Sequence, residues 1–296
     1  MSVFDRGRFV TGWGIEGATL MAADGALLVA ADAAPLPATL LVATWDPPAV
    51  SLGRFQEAEA AVEVERVARA GIDLVRRPTG GRAVLHRGDV TYTLVARHDD
   101  PVFGGARAAS LRAIAEALVA GLARLGVAAE RAPGAESARR RDSGLALRVD
   151  RAGRRAVPPC FASAAREEIR TGGRKLLGSA RLDGRRAFLQ HGSLPLDARP
   201  LGLAALLPGD ERARRAARGA LVRATISVAE ILGRSVEPDE VARALRAGFE
   251  ARAGRPFVDE PLRADEWAAA RRAARRHRVA PASASIVSLA LAAGRA

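Results

Sequence analysis

The stretch "RRPTGGRAVLH" at residues 76–86, continued after two residues by "DVTYTLVA" at 89–96, decides the fold class of this chain. It places a glycine pair directly after the strand-like run "DLVRR" and before a second strand-like segment that has "RGD" as a turn inside it. Glycines let the backbone approach a ligand closely, while Arg76, Arg77 and Arg82 supply fixed positive charge. The loop is therefore a candidate site for a phosphate or a carbonyl, with a plain β-turn as the alternative interpretation.

Helical and strand-like patterns alternate around this loop. Apolar residues at helical spacing indicate helices, and short apolar runs bounded by turn residues indicate strands. The predicted helices cover 18–33, 57–69, 108–126, 211–232, 238–254 and 262–277, and the predicted strands lie at 39–45, within 46–56, at 73–77, at both ends of 82–97, at 174–183 and at 185–196. A mixed first half, a strand-rich middle and a helical end predict an α/β (α+β) fold, a mixed β-sheet flanked by helices.

The composition is that of a globular protein. The chain has 296 residues, of which 49% are hydrophobic and 27% charged, enough for one large domain or two small ones. A single cysteine excludes an intramolecular disulfide framework and fits a reducing compartment. The N-terminus lacks a leader pattern, and Asp24 and Asp32 interrupt the first apolar region, so we expect a soluble, untargeted, cytoplasmic protein.

The formal net charge of +13 predicts an acidic partner. Nucleic acid, an anionic membrane and an acidic protein all qualify on charge alone. Aromatic residues make up only 4% of the chain, so stacking platforms for bases are scarce. The arginines are also spread along the sequence instead of forming a basic tail.

Two residues stand out because each occurs once. Of the 46 Lys and Arg residues, Lys175 is the only lysine, and Cys160 is the only cysteine. A coding bias can replace surface lysines by arginine, whereas a site that needs a compact ammonium cannot accept a guanidinium. Lys175 is therefore a candidate functional residue, with chance survival in an ordinary strand as the alternative.

Cys160 follows two prolines, after a polar, turn-rich segment at 133–159 that we expect to be a loop delivering the thiol. A thiolate is a strong nucleophile and forms thioesters that pass acyl groups to amines. The alternative is an inert, buried cysteine. His86 and His191 end strand-like runs, and each fits either a general base or a structural histidine.

Several blocks, taken together and in order, resemble the lipoate and biotin protein ligase superfamily. They are "WDPPAVSLGRFQ", "RRPTGGRAVLH" with "DVTYTLVA", "CF", "GRKLLGSAR" and "LQHGSLPL", within about residues 13–250. More narrowly, they are similar to the cysteine-dependent bacterial octanoyltransferases, which load octanoate from acyl carrier protein onto the glycine cleavage H protein. The resemblance implies a biotin/lipoate ligase-like sheet with an apolar tunnel for the acyl chain.

The resemblance also implies a role for each matched residue. Cys160, before Phe161, would carry the acyl group as a thioester, and Lys175 would lie against the acyl carbonyl. The residues that would bind the substrate are Arg76, Arg77, Gly80, Gly81, Arg82, His86, Gly178, Ser179 and His191. Because the acyl group arrives already activated, we expect neither a metal nor a cofactor.

The expected activity is transfer of octanoyl from an acidic acyl carrier protein to a lysine of a lipoyl-type acceptor, the glycine cleavage H protein or an E2 lipoyl domain. We expect no membrane or nucleic-acid partner in this case. Three alternatives remain: an ATP-dependent lipoate-protein ligase, an amidotransferase between lipoyl domains, and a basic nucleic-acid-binding protein. Cys160 favours the transferase, because a ligase activates its acid with ATP and needs no nucleophilic thiol.

The chain departs from the family at two matched positions. Arg87 replaces the usual Asp after the histidine, and Arg181 replaces a Gln after "G-S-A", so contacts to the carbonyl or the partner are expected to change there. We expect a catalytic domain over 1–237 and a helical C-terminal extension over 238–296, packed on it. The arginine-rich helix at 262–277 matches the family poorly and is assigned no role.

Overall fold

The structure is a computed structural model and describes residues 2–132, 168–197 and 200–279. The predicted loop at 133–159, Cys160 and Phe161 lie outside the described residues. The described part of the chain contains a large mixed sheet, a small three-stranded sheet and helices that flank them. The predicted fold class is confirmed.

The strands are β1 (Gly7–Ile15), β2 (Thr39–Trp45), β3 (Ala49–Leu52), β4 (Asp73–Arg76), β5 (Val84–His86), β6 (Asp89–Arg97), β7 (Glu130–Arg131), β8 (Ile169–Thr171), β9 (Arg174–Asp183), β10 (Ala187–Pro195) and β11 (Phe257–Asp259). The helices are α1 (Gly17–Ala33), α2 (Ala58–Ala61), α3 (Val64–Arg69), α4 (Arg107–Arg124), α5 (Glu211–Ala224), α6 (Val228–Leu232), α7 (Pro238–Ala253) and α8 (Ala264–Ala273), with 3₁₀ turns at Pro200–Leu206 and Ala274–Arg276.

The large sheet has the strand order β11-β1-β2-β6-β10-β9-β8-β7. Strand β1 pairs in parallel with both β2 and β11, while the pairs from β2 to β7 are antiparallel. Each of the nine residues of β6 is buried, as expected of a central strand covered on both faces.

The two faces of the sheet carry separate hydrophobic cores because side chains alternate along a strand. On β2, Leu40 and Val42 belong to the core under α4 and α7, whereas Leu41 and Ala43 belong to the core under α1 and α8. Gly248 of α7 lies so close to α4 that a Cβ there would be 2.3 Å from the carbonyl oxygen of Ala117.

The small sheet has the strand order β4-β3-β5. A short turn from β5 to β6 connects it to the large sheet. Strand β5 ends at His86 and β6 begins at Asp89, so the turn between them carries the chain from one sheet to the other. The predicted "RGD" turn is confirmed. It brings the ends of the two sheets together, and the cavity described below lies there.

Four predicted elements are confirmed within one or two residues at each end, namely those at 18–33, 39–45, 73–77 and 108–126. The predicted hairpin around Gly184 is confirmed as β9 and β10. The prediction of a single helix over 57–69 is wrong, because two short helices occupy this range. Val62 is extended and fully buried, and the N–H of Glu63 bonds to the carbonyl of Leu206, which separates α2 from α3. The helix expected over 211–232 is also broken, between Thr225 and Ser227, where Ser227 caps α6.

The boundary drawn after residue 237 stays a prediction. The structure shows that α7 packs on α4, with Phe249 fully buried in the same core, and that β11 closes the edge of the large sheet. Helix α8 packs on α1, and the 3₁₀ turn after it continues that contact. Within the described ranges, no helix combines the length and apolar character needed to span a bilayer.

Candidate active site

A cavity of about 220 Å³ lies between α1, the β6, β9 and β10 part of the large sheet, and the small sheet. It brings together most of the residues singled out in the sequence. Those that line it are Arg77, Gly81, Arg82, His86, Lys175, Gly178, Ser179 and His191. Apolar side chains, among them Met21, Trp45 and Val84, complete its wall, so the lining is mixed rather than apolar throughout.

Arg76 and Gly80 are not among the lining residues. The guanidinium of Arg76 turns to the bend after β3, where Nη1 donates to the carbonyls of Gly53 at 3.1 Å and Gln56 at 2.6 Å. The carbonyl of Gly80 accepts from Nε and Nη2 of Arg77 at 3.1 and 2.8 Å. Both residues therefore shape the glycine loop from outside the cavity.

The glycine loop is held by the buried guanidinium of Arg77. Besides Gly80, it donates to the carbonyl of Ser51 at 2.9 Å and to that of Arg82 at 2.8 Å. Gly81 has a backbone φ of +98°, a conformation that residues other than glycine rarely adopt. A Cβ on Gly53 would lie 2.0 Å from the carbonyl oxygen of Gly81, so the two backbone segments touch and neither position has room for a side chain.

Lys175 lies at the cavity wall in a buried ion pair. Its Nζ donates to Oε1 of Glu168 at 2.5 Å, and the two side chains are 5% and 1% exposed. Gly178 makes room for the lysine, since a Cβ there would lie 2.7 Å from Lys175 Cε and 2.9 Å from Nζ. A buried charge needs a partner of this kind to offset its lost hydration.

His86 connects the two sheets. Its Nδ1 lies 2.8 Å from Oδ2 of Asp89, and its Nε2 lies 2.9 Å from Oγ of Ser51. Since a carboxylate only accepts, Nδ1 donates to Asp89. Trp45 stacks on the ring at a centroid distance of 3.8 Å with an interplanar angle of 1°, which fixes the imidazole plane.

His191 forms a second arrangement of the same kind. Its Nδ1 lies 2.8 Å from Oδ2 of Asp24 on α1, and its Nε2 lies 2.7 Å from Oγ1 of Thr79 in the glycine loop. Asp24 is fully buried and also accepts from Thr93 at 2.9 Å. By the same argument, Nδ1 donates to Asp24. The histidine thus ties the glycine loop to α1.

Ser179 takes part in a buried hydroxyl network behind the cavity. The Tyr92 hydroxyl lies 2.8 Å from Oγ of Ser179 and accepts from Nε2 of Gln190 at 3.0 Å. Burial raises the pKa of Tyr92 to about 12, which outweighs the lowering by its two hydrogen bonds. The phenol is therefore neutral at physiological pH and orients Ser179.

The two departures from the family pattern lie away from the cavity lining. Arg87 is exposed in the turn between the two sheets. The carboxylate that lies beside His86 belongs to Asp89. Arg181 stacks over Phe188 at 3.6 Å and donates to Oγ of Ser110 at 2.6 Å. Burial lowers the pKa of Arg181 despite its ion pair with Asp183. The contacts that Arg181 makes thus lie on the α4 side of the sheet.

Several residues that form this site were not predicted from the sequence. Asp24 had a visible signal, because it lies on the apolar stripe of α1, where an unpaired charge would be costly. Trp45 and Ser51 lie within the quoted block "WDPPAVSLGRFQ" but were assigned no role. Glu168 had no signal, since only the β8–β9 hairpin brings it to Lys175.

Among residues 2–132, 168–197 and 200–279, no group of three or more His, Cys, Asp or Glu side chains could hold a metal ion. The expectation that the reaction needs no metal and no cofactor stays a prediction.

Comparison with known proteins agrees with this geometry. The family model described as the lipoyl protein ligase A/B catalytic domain matches residues 16–250. A curated relative named octanoyltransferase LipM, from Kyrpidia tusciae, is 38% identical over 248 residues, which cover 83% of this chain and 86% of the relative. A relative of the same name from Moorella thermoacetica is 39% identical over 221 residues, which cover 74% and 76% of the two chains.

Solved structures show the same fold at lower identity. A lipoate-protein ligase A bound with ATP superposes with a TM-score of 0.69 at 24% identity, covering 91% of this chain and 94% of the other. The bi-partite lipoate protein ligase of Thermoplasma acidophilum superposes with a TM-score of 0.70 at 23% identity, covering 91% and 92%. These two likenesses concern the architecture alone.

Proposed function

Because the chain belongs to the lipoyl protein ligase A/B catalytic-domain family, we propose that it is an octanoyltransferase of lipoate biosynthesis. It takes octanoyl from an acyl carrier protein and transfers it to a lysine of a lipoyl-type acceptor, the glycine cleavage H protein. The observation that carries the proposal is Lys175, the only lysine of the chain, buried at the wall of the cavity beside the glycine loop. The relatives named octanoyltransferase support the reaction type.

The reaction has two steps in this proposal. The Cys160 thiolate attacks the carbonyl of the donor thioester, the bond to the carrier sulfur breaks, and the carrier thiolate leaves and takes up a proton. The ε-amine of the acceptor lysine then attacks the Cys160 thioester, an amide bond forms, and the amine proton passes to the departing Cys160 sulfur. No ATP is consumed, because the donor is already activated.

Lys175 stabilises the negative charge that develops on the carbonyl oxygen in both steps. An ammonium has three N–H donors, so a bond to Glu168 is compatible with a second to the substrate. A well-placed donor of this type is worth about 3 to 4 kcal/mol of transition-state stabilisation. The glycine loop and Gly178 let the acyl carbonyl approach the backbone closely, and Met21, Trp45 and Val84 offer apolar contact to the chain.

His86 and His191 position the loop rather than the substrate carbonyl in this proposal, because both ring nitrogens of each already have protein partners. A nucleophilic thiol suits a reducing compartment, and we place the reaction in the cytoplasm.

The test is incubation of the protein with octanoyl carrier protein in the absence of ATP, followed by intact-mass analysis. We expect one octanoyl adduct that hydroxylamine removes and that is absent from Cys160→Ser. Adding the apo H protein should then discharge the adduct onto its lysine.

Two other outcomes would replace the proposal. No adduct without ATP, but lipoylation of the acceptor with it, would identify a ligase. Retention on a polyanion resin with neither activity would favour the nucleic-acid-binding alternative. Discharge onto an E2 lipoyl domain but not onto the H protein would keep the chemistry and change the acceptor.

A further inference from the structure

Helix α5 (Glu211–Ala224) packs behind one wall of the cavity. Its buried face, at Ala217 and Leu221, packs in a cluster with Val84, whose side chain lines the cavity. Directly after the helix, Thr225 pairs with Lys175, and the N–H of Ile226 donates to the carbonyl of Lys175 at 3.1 Å. Backbone pairing therefore links the end of the helix to the strand that carries the lysine.

The outer face of this helix carries four exposed arginines. They are Arg212, Arg215, Arg218 and Arg223, called the arginine stripe below. At 100° per residue they fall within one face of the helix, opposite Ala217 and Leu221. Along the axis the stripe extends about 16 Å, since its first and last members are eleven residues apart at about 1.5 Å each.

The stripe has little compensating charge. None of its arginines forms an ion pair with another residue in the described ranges. The only acidic residue of the helix, Glu211, lies 3.5 Å from Nε of Arg214, and Arg214 also turns inward to Glu63 at 3.4 Å. Four solvated like charges on one face repel one another, so an acidic surface laid against them would be attracted.

Resting on the proposed function, we propose that the arginine stripe is the docking surface for the acidic acyl-carrier donor. A carrier protein presents its acyl group on a flexible arm, so it can bind on a helix behind the cavity wall instead of at the cavity itself. An acceptor lysine has no such arm and has to approach the cavity directly. The helix face also lacks aromatic residues on which bases would stack, which argues against nucleic acid.

The chain offers a matched control. Arg271, Arg272, Arg275 and Arg276 are four exposed arginines at the end of α8 and in the turn after it, on an element that packs on α1. Reversing the four charges of either set changes the net charge by the same amount. The two variants are R212E/R215E/R218E/R223E and R271E/R272E/R275E/R276E, with the corresponding Arg→Gln variants as milder versions.

Acylation of Cys160 is measured with two donors, octanoyl carrier protein and the small thioester octanoyl-N-acetylcysteamine. We expect reversal of the stripe to lower kcat/KM for the carrier protein by about tenfold or more, mainly through KM, as for other electrostatically steered encounters. The rate with the small thioester should stay within about threefold of wild type, which shows that the fold and the site are intact. The control variant should lose far less, and transfer from acylated enzyme to the acceptor should be unchanged.

Equal losses in both variants, or none in the stripe variant, would overturn the docking surface while leaving the proposed function in place. So would a loss confined to the acceptor step. Tight binding of a short duplex that only the stripe variant loses, with normal carrier kinetics, would assign the stripe to nucleic acid instead. A wild-type protein that reacts with neither donor would overturn the proposed function itself.

Discussion

Lys175 and Glu168 form an ion pair that is almost completely removed from water, with Nζ 2.5 Å from Oε1. The hairpin of β8 and β9 brings the two residues together. Nη2 of the more exposed Arg170 lies 3.2 Å from the other oxygen of the same carboxylate, Oε2 of Glu168. A pair of this kind contributes little net stability compared with apolar residues, but loss of one member leaves a buried charge.

Breaking the pair from the acidic side should destabilise the fold. Glu168→Gln should lower the free energy of unfolding by about 3 kcal/mol, the lower end for a broken buried pair, because the amide oxygen still accepts a hydrogen bond. The measurement is denaturant unfolding. The double variant K175M/E168L, which removes both charges, should lose less than Glu168→Gln, and equal stability of wild type and Glu168→Gln would contradict the burial of the pair.

Replacement of the lysine by arginine should abolish most activity. The planar guanidinium of Lys175→Arg is larger and cannot occupy the space beside Gly178, so Cys160 acylation by the small thioester should fall by about 10²-fold or more. Single-turnover kinetics measure this. A variant with wild-type rate would show that position 175 supplies only positive charge.

A substitution at Gly178 tests whether the ammonium of Lys175 needs the free space beside that glycine. A methyl group in Gly178→Ala would lie 2.7 Å from Lys175 Cε and displace the ammonium, so the acylation rate should fall by at least about tenfold. Gly25→Ala is the matched control, since a Cβ at this helical position meets nothing within 4 Å. It should leave the rate unchanged and raise stability by about 0.5 to 1 kcal/mol.

The loop anchor at His191 can be tested through Asp24. In Asp24→Asn a single side-chain oxygen remains where the carboxylate accepts from both His191 and Thr93, so the hold on Nδ1–H of His191 weakens. The ring and Thr79 then lose their fixed orientation, and acylation should slow by about tenfold or more. Asp32→Asn is the control on the same helix. Asp32 accepts from the backbone N–H groups of residues 185–187 and is not among the cavity-lining residues, so this variant should cost stability with little change in rate.

Attachment of α8 should depend on pH. The Arg8 guanidinium, which donates to both carboxylate oxygens of Glu266, lowers the pKa of that carboxyl, and this outweighs the opposing effect of burial. The stabilisation is therefore fully present above the unfolded pKa near 4.5 and is lost as the pH falls through the lower folded value.

Glu266→Gln should consequently be less stable than wild type by about 1 kcal/mol at pH 7, a value reduced for the partial exposure of the pair, and the difference should vanish in acid. Thermal unfolding across this pH range measures it. Asp265→Asn, in an exposed pair with Arg263, should change stability far less. A difference that persists at low pH would mean that the pair is not its source.

Salt should slow transfer from the carrier protein. Between about 0.1 M and 1 M ionic strength the Debye length falls from about 10 Å to about 3 Å, which screens the attraction between a chain of charge +13 and an acidic donor. The rate with octanoyl-N-acetylcysteamine should hardly change. A carrier-protein rate that is equal at both salt concentrations would remove any role of the net charge in encounter.

The sequence predicted the elements whose pattern is local. Buried runs such as 39–45 and the periodic helix at 108–126 carry their own signal, and the structure confirms them. Strand β1 was missed because its identity depends on parallel pairing with β2 and with the three residues of β11, far away in the chain. Val62 ends its helix for a tertiary reason as well, since the core buries it completely.

The same distinction applies to the site. Lys175, Gly178 and His86, which the motif blocks single out, line one cavity, because each block folds as a local unit, and their roles stay predictions. Glu168, the partner of Lys175, and Asp24, the partner of His191, lie outside these blocks. Residue chemistry thus pointed to candidate groups, while Glu168 became visible only through the pairing of β8 with β9.

Strand β1 has one neighbour from the beginning of the chain and one from near its end, since Gly7 pairs with Phe257. The N-terminal residues leave the ribosome first, so the outer edge of β1 waits for about 250 further residues to be synthesised before it is covered. Until then the nascent chain presents an open strand edge, which is a template for pairing with other chains.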